Sequence, residues 1–221
     1  MKQPIKNTIK NIFWDVDGVL VDLNFAYFNL LTNHPNYKDM YRDLKWEDLP
    51  KALPINPKIG ALELTSHPTL GVQLDYDFCH TEKFFVNRPL YPNVVETLRQ
   101  LHERGYRQFT MSATTIDVDK KKELIGNLLA EVKDFLTIEC VLHANQGEKE
   151  NSLKNCLQKY GLKAEETILV DDRIYNLYSA IKANIFPVRL RSEFTTDLPE
   201  DLSWVPEVKD VVGLKQWLLG I

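Results

Sequence analysis

In the stretch IFWDVDGVLVD, residues 12–22, Asp15 and Asp17 flank a single valine and a glycine follows. Isolated carboxylates are expensive to remove from water, yet these two close an otherwise apolar run. Side chains alternate along a strand, so both acids would point the same way. Gly18 would then let the backbone turn sharply. An Asx-type turn closing a strand is the plainer use of such residues. Three later positions extend the set. Ser112 follows the apolar run in YRQFTM, Lys149 stands in GEKEN, and the pair Asp171–Asp172 follows TILV. Carboxylates crowded together repel one another. A divalent cation relieves the repulsion, and oxygen-only ligands suit Mg²⁺. A nearby lysine adds a positive charge suited to a phosphate.

The elements that must carry these residues alternate in type. Strands are expected over Asn11–Val16, Tyr106–Met111, Thr137–Leu142, Thr167–Val170 and Ile185–Leu190, the last weakened by Pro187 and better suited to a sheet edge. Helical patterns cover Val94–Arg104, Asn151–Tyr160 and Val211–Leu219, with Gly105 and Gly161 as stops. Such alternation predicts an α/β fold with a mainly parallel, Rossmann-like sheet in three layers. Ligands bind outside the carboxyl ends of such strands, where the acids, Ser112 and the Lys149 loop all fall.

One stretch breaks the pattern. Residues 22–87 hold a helix candidate, Leu23–Thr32, then proline-rich segments and dense aromatics such as Tyr27, Tyr37, Trp46, Phe84 and Phe85. This is too long for an ordinary loop and reads as a partly helical subdomain inserted after the first strand. The division is therefore 1–21 with 88–221 as the core, and 22–87 as the insert. Asp22 reads as the N-cap of the helix that opens the insert.

With 221 residues, 44% hydrophobic and 26% charged, the chain can bury a sizeable core, and its net charge of −4 argues against a general nucleic-acid or anionic-membrane binder. No signal peptide or transmembrane stretch is evident. Cys79, Cys140 and Cys156 show no metal-ligand spacing and suit a reducing cytoplasm. The histidines show no ligand spacing either; His143 follows the third strand as a loop residue. Lys120–Lys122 read as an exposed helix face, and Arg88 and Arg173 as ion-pair partners.

Taken in order, these motifs resemble the haloacid dehalogenase superfamily in its Mg²⁺-dependent phosphatase branch. Its DxDG motif is similar to Asp15-Val16-Asp17-Gly18, its hydroxyl motif to Ser112, its lysine to Lys149 and its acidic pair to Asp171–Asp172. RPLYPNVVETLRQLHERGY is similar to the family's stretch before the second motif. The resemblance implies a phosphatase of a small phosphorylated metabolite. Asp15 would be the nucleophile, forming an aspartyl-phosphate, and Asp17 the proton donor and then base. Asp15 would be ionised and Asp17 protonated at the start. It further implies Mg²⁺ on Asp15, the backbone carbonyl of Asp17 and Asp172. Ser112 and Ala113 would hold phosphate oxygens, and Lys149 would neutralise charge. Asp171 and Asn176 would stand behind the ligands. The insert would take the place of the family's cap, which reads the leaving group.

Departures from the family pattern are visible. Ala113 stands where relatives carry a side-chain donor; Thr110 and Thr114 are rival hydroxyls, Thr110 facing the core. Asp171 replaces a common glycine. The alternatives are a phosphomutase with the same nucleophile and a non-catalytic binding protein on the same fold.

Overall fold

The computed structural model describes residues 8–80, 88–114, 117–142 and 149–221. Strand β1 spans Asn11–Trp14. A long intervening segment follows: helices α1 (Leu23–Asn33) and α2 (Leu49–Ala52), a hairpin of β2 (Ile55–Asn56) and β3 (Ala61–Leu62), and helix α3 (Gly71–His80). The chain then runs α4 (Val94–Glu103), β4 (Arg107–Thr114), α5 (Val118–Leu128), β5 (Thr137–Leu142), α6 (Lys149–Tyr160), β6 (Thr167–Asp171), α7 (Ile174–Lys182), β7 (Phe186–Leu190), β8 (Glu207–Val208) and α8 (Val211–Leu219). His143, Phe84 and Phe85 lie outside the described residues, as do the side chains of Thr114 and Cys140.

Six strands form one sheet in the order β5-β4-β1-β6-β7-β8, every neighbouring pair parallel. The fold is α/β and Rossmann-like, with β1 at its centre. Strand alternation sorts the core. Ile12, Trp14, Ile168 and Val170 pack with α4, α5 and α8 on one face. Phe13, Phe109, Met111 and Leu169 pack with α6 and α7 on the other. Both faces of the sheet are covered, so its strands are apolar on both sides.

Two strand details differ from the sequence reading. β4 runs on through Ser112, which pairs in register with Cys140, so Ser112 lies within the strand rather than after it. β7 is not an edge: it pairs with β6 and β8. Its Pro187 is tolerated because two-residue β8 reaches only Arg189 and Leu190, leaving Pro187 without a ladder partner on that side.

The intervening segment has its own core, built on Tyr27, Leu30, Leu49, Leu74 and Phe78. Asp22 caps α1 by accepting from the Phe25 N–H at 3.0 Å. Phe194, from the chain after β7, belongs to the same core. Around it the Trp46 indole N–H donates to Glu193 at 3.0 Å, and Ala61 bridges Thr195. Among the described residues no helix is long and apolar enough to cross a membrane.

Candidate active site

The carboxyl edge of the sheet gathers the acids. The Asp15 N–H bonds Val170 O at 2.9 Å, extending the β1–β6 ladder by one residue and carrying Asp15 to the end of the sheet. Gly18 then turns the chain at φ +87°, and a Cβ there would stand 2.5 Å from Asp172 Oδ2. Only glycine permits both the turn and the close approach of Asp172. The β6–α7 junction supplies Asp171 and Asp172, both buried.

Lys149 opens α6 and is buried between two acids, its Nζ 3.0 Å from Asp15 Oδ1 and 2.7 Å from Asp171 Oδ2. The other Asp171 oxygen accepts from the Arg173 N–H and from the Asn176 amide, each at 3.0 Å. Asp171 thus has three donors. Asp172 is different: its Oδ1 is buried with no hydrogen-bond partner. Oxygens of Asp15, Asp171 and Asp172 all lie within 4.8 Å of one another. A buried orphan carboxylate oxygen beside two other acids is costly unless a cation sits among them, and an all-oxygen set suits a hard divalent ion. The residues fit such a group, with Asp172 the acid left open for it and Asp171 committed elsewhere.

The titration behaviour of the acids follows from these partners. Burial is the largest influence on Asp15 and lifts it to about 6, with Lys149 opposing. Burial likewise lifts Asp172 to about 8 against the pull of Arg173. Asp17 goes the other way. Burial pushes it up, but Lys121 and then Arg88 together hold it well below the usual carboxylate range. Arg88 reaches Asp17 Oδ1 at 2.5 Å and Lys121 reaches Oδ2 at 3.3 Å. The protein's own side chains alone favour ionised Asp17 over ionised Asp15; the expected order, with Asp15 ionised, is assigned to the Mg²⁺ that Asp15 would bind.

Lys121 corrects an expectation. In the Lys120–Lys122 triplet Lys120 is exposed and Lys122 half-buried, but Lys121 is 4% exposed. The reason is its place on α5. Asp117 caps that helix through the N–H groups of Asp119 and Lys120, so Lys121 stands in the first turn. Side chains on a helix lean toward its N-terminus, and this N-terminus faces the site. The capping aspartate was the signal in the sequence.

Of the expected residues, Asp15, Asp17, Ser112, Ala113, Lys149 and Asn176 line one cavity of about 110 Å³, whereas Asp171 and Asp172 are buried and do not line it. Asn176 is buried on Asp171 rather than facing solvent. Thr110 is turned away, bonded to Glu139 O at 3.2 Å inside the core. The opposite wall comes from the intervening segment, through Leu23, Tyr27, Glu63, Asp75, Phe78 and Cys79. Arg88 also stacks on Phe78, 3.9 Å from the ring centroid, joining the two walls. None of Tyr27, Glu63 or Asp75 stands in a motif, and their approach depends on how the intervening segment folds back.

The family model for haloacid dehalogenase-like hydrolases matches residues 9–184. Among solved structures, a predicted phosphatase from Clostridium acetobutylicum is 18% identical, with TM-score 0.62 over 96% of this chain and 99% of that one. A haloacid dehalogenase-like hydrolase from Streptococcus pneumoniae is 17% identical, with TM-score 0.60 over 96% and 99%. A dehalogenase captured with an intermediate complex is 14% identical, with TM-score 0.64 over 96% and 97%. At these identities the likeness is one of fold. The comparison with curated proteins gives no match.

Proposed function

The chain belongs to the haloacid dehalogenase-like hydrolase family, and from that premise we propose that it hydrolyses a small phosphomonoester, with Mg²⁺, through an aspartyl-phosphate on Asp15. The observation that carries this reading is the orphan Asp172 Oδ1, buried beside Asp15 and Asp171. Displacing halide from carbon needs no such open acid, whereas bringing an anionic ester onto an anionic nucleophile does.

A divalent cation held by Asp15, Asp172 and the backbone carbonyl of Asp17 would neutralise charge between the two anionic reactants. The chain's residues do the rest. A carboxylate oxygen of Asp15 attacks phosphorus while the ester P–O bond breaks, and the phosphoryl group moves to Asp15. Lys149, touching Asp15, balances charge on the nucleophile, and Ser112 with the Ala113 N–H receives phosphoryl oxygens. Asp17 stands at the leaving oxygen. It rests ionised between Arg88 and Lys121; the arriving phosphate raises its proton affinity by repulsion and competes for both cations, so Asp17 takes up a proton from solvent as the ester binds. Asp17 then donates its proton to the departing alkoxide and, ionised again, draws a proton from the water that opens the aspartyl-phosphate. Phosphate leaves and Asp15 is restored.

The test is a panel of small phosphomonoesters with Mg²⁺ and with EDTA, using wild type and Asp15→Asn. Turnover should require the metal and fall by about 10⁴-fold or more in the variant, as for other nucleophile removals. Halide release from a 2-haloacid that survives EDTA would overturn the reading in favour of dehalogenation. Phosphoryl transfer only to a second sugar phosphate would replace it with a mutase.

A further inference from the structure

Three hydrogen-bonding side chains line the cavity with donor protons unspent, one from the intervening segment and two from the β6–α7 junction. Tyr27, from α1, is 4% exposed and lines the cavity, and its hydroxyl has no hydrogen-bond partner among the described residues. Buried phenols are ordinarily paired, so an open one aimed at a cavity points to a ligand. Arg173, directly after Asp172, enters the same cavity. A guanidinium carries five N–H donors, but Arg173 donates from its side chain only to the Tyr175 hydroxyl, at 3.2 Å. Its nearest acid, Glu63 Oε1, is 3.9 Å away, too far for a hydrogen bond, and the other Glu63 oxygen is taken by the Asn56 amide at 2.9 Å. The Tyr175 oxygen, having accepted from Arg173, keeps its own proton to give. Tyr27 and Arg173 line the same cavity.

We propose that Arg173, Tyr27 and Tyr175 form a subsite for a carboxylate on the leaving alcohol, making the substrate a small phosphomonoester of a hydroxy acid. A planar guanidinium with two hydroxyl protons matches a carboxylate's two acceptor oxygens. The cavity of about 110 Å³ lies well below drug-sized sites and leaves room for a short carbon chain beside the phosphoryl group. Glu63 and Asp75 line the same cavity and make an ammonium group the rival. The guanidinium decides against it: a tyrosine hydroxyl serves either charge, but an ammonium would be repelled by Arg173 and leave it unpaired, whereas a carboxylate pairs it. The substrate class rests on the phosphatase reading above; the subsite itself does not.

Binding therefore comes first. Calorimetry with Mg²⁺ would compare 3-phosphonopropionate with butylphosphonate and 3-aminopropylphosphonate on wild type, Tyr27→Phe, Arg173→Lys and Arg173→Gln. Wild type should bind the carboxylate at least about tenfold tighter than either control, since a site built to hydrogen-bond a group rejects analogues that lack it. Tyr27→Phe and Arg173→Gln should erase most of that ratio, and Arg173→Lys should keep part of it. Equal affinities, or tightest binding of the amine, would overturn the proposal. So would a ratio preserved in both Tyr27→Phe and Arg173→Gln. Turnover of the matching two-carbon esters, ending in carboxylate, hydroxyl or ammonium, then reads the same preference in KM. If the phosphonates discriminate but no ester is hydrolysed, the subsite stands and the phosphatase reading falls.

Discussion

The two walls of the cavity handle polarity in opposite ways. At the sheet edge almost every charge is matched: Lys149 lies between Asp15 and Asp171, Asp171 takes two further donors, and Asp17 holds Arg88 and Lys121. The exception among the charges is Asp172, and the Asn176 amide oxygen is likewise buried without a partner among the described residues. Across the gap, Tyr27 has no acceptor among the described residues, nor has most of the Arg173 guanidinium, which reaches toward that wall from the β6–α7 junction. The difference separates two tasks. Chemistry needs groups fixed before the substrate arrives, so the edge is pre-paired by elements of the central sheet. Recognition needs unspent hydrogen-bonding capacity, which the opposing wall keeps.

The walls also differ in how they are held, and that difference can be broken on one side at a time. The edge is carried by six strands with apolar cover on both faces. The intervening segment's small core is completed by Phe194, from a stretch far along the chain that also bonds through Ser192, Glu193 and Thr196. Phe194→Ala should cost about 3 kcal/mol in urea unfolding, the low end for a buried phenylalanine because the ring is slightly exposed. Faster hydrogen exchange should appear in α1 and α3, while stabilisation by Mg²⁺ persists. Unchanged exchange in those helices would mean that the insert stands without this lacing.

Gly18 breaks the other wall, and Gly105 supplies its control. Both have φ +87°, but a Cβ at Gly105 meets nothing within 4 Å, whereas at Gly18 it meets Asp172. Each change to alanine should cost about 1 kcal/mol for the left-handed backbone. Gly18→Ala should cost roughly a further 1 kcal/mol and weaken Mg²⁺ binding by about tenfold, because Asp172 must shift; Gly105→Ala should leave Mg²⁺ binding intact. Equal metal affinity in the two variants would detach Gly18 from the cation site.

The same division governs what could be read from the residues alone. The sheet and its acids were legible because apolar strands ending in Asp, Ser and Asp-Asp are local patterns, and a parallel sheet brings local strand ends together. Lys121 was missed because a lysine triplet looks solvated unless the helix start at Asp117 is used to orient it. The opposing wall was not legible. Tyr27 is one aromatic among many, and its approach to Arg173 depends on a fold-back completed by Phe194, a contact 167 positions away in sequence. The resting state of Asp17 went unread for a similar reason: Arg88 and Lys121 lie on different elements, and neither neighbours it in sequence.

The last test concerns the unpaired Asp172 at the edge. Burial raises Asp15 to about 6 and Asp172 to about 8. Both are acids raised on folding, so the folded chain holds more protons than the unfolded one between roughly pH 4 and 8. The stability these groups contribute is present below about pH 4 and is lost as the pH climbs through 6 and then 8. Asp17, depressed by Lys121 and Arg88 despite its burial, runs the other way; its contribution is lost only in acid and is constant over pH 6–8. A divalent cation binds the ionised acids and must displace their protons. The rise in Tm with Mg²⁺ over EDTA should therefore grow from pH 6 to pH 8, by up to about 1.4 kcal/mol per pH unit for each proton displaced. For a chain of this size that is about 2–4 °C per kcal/mol. Comparing metal with EDTA at each pH cancels groups remote from the site, such as His67, lowered by its burial. Asp172→Asn should flatten the dependence. An equal gain at pH 6 and pH 8 in the wild type would mean that the cation displaces no proton, and so does not bind at Asp172.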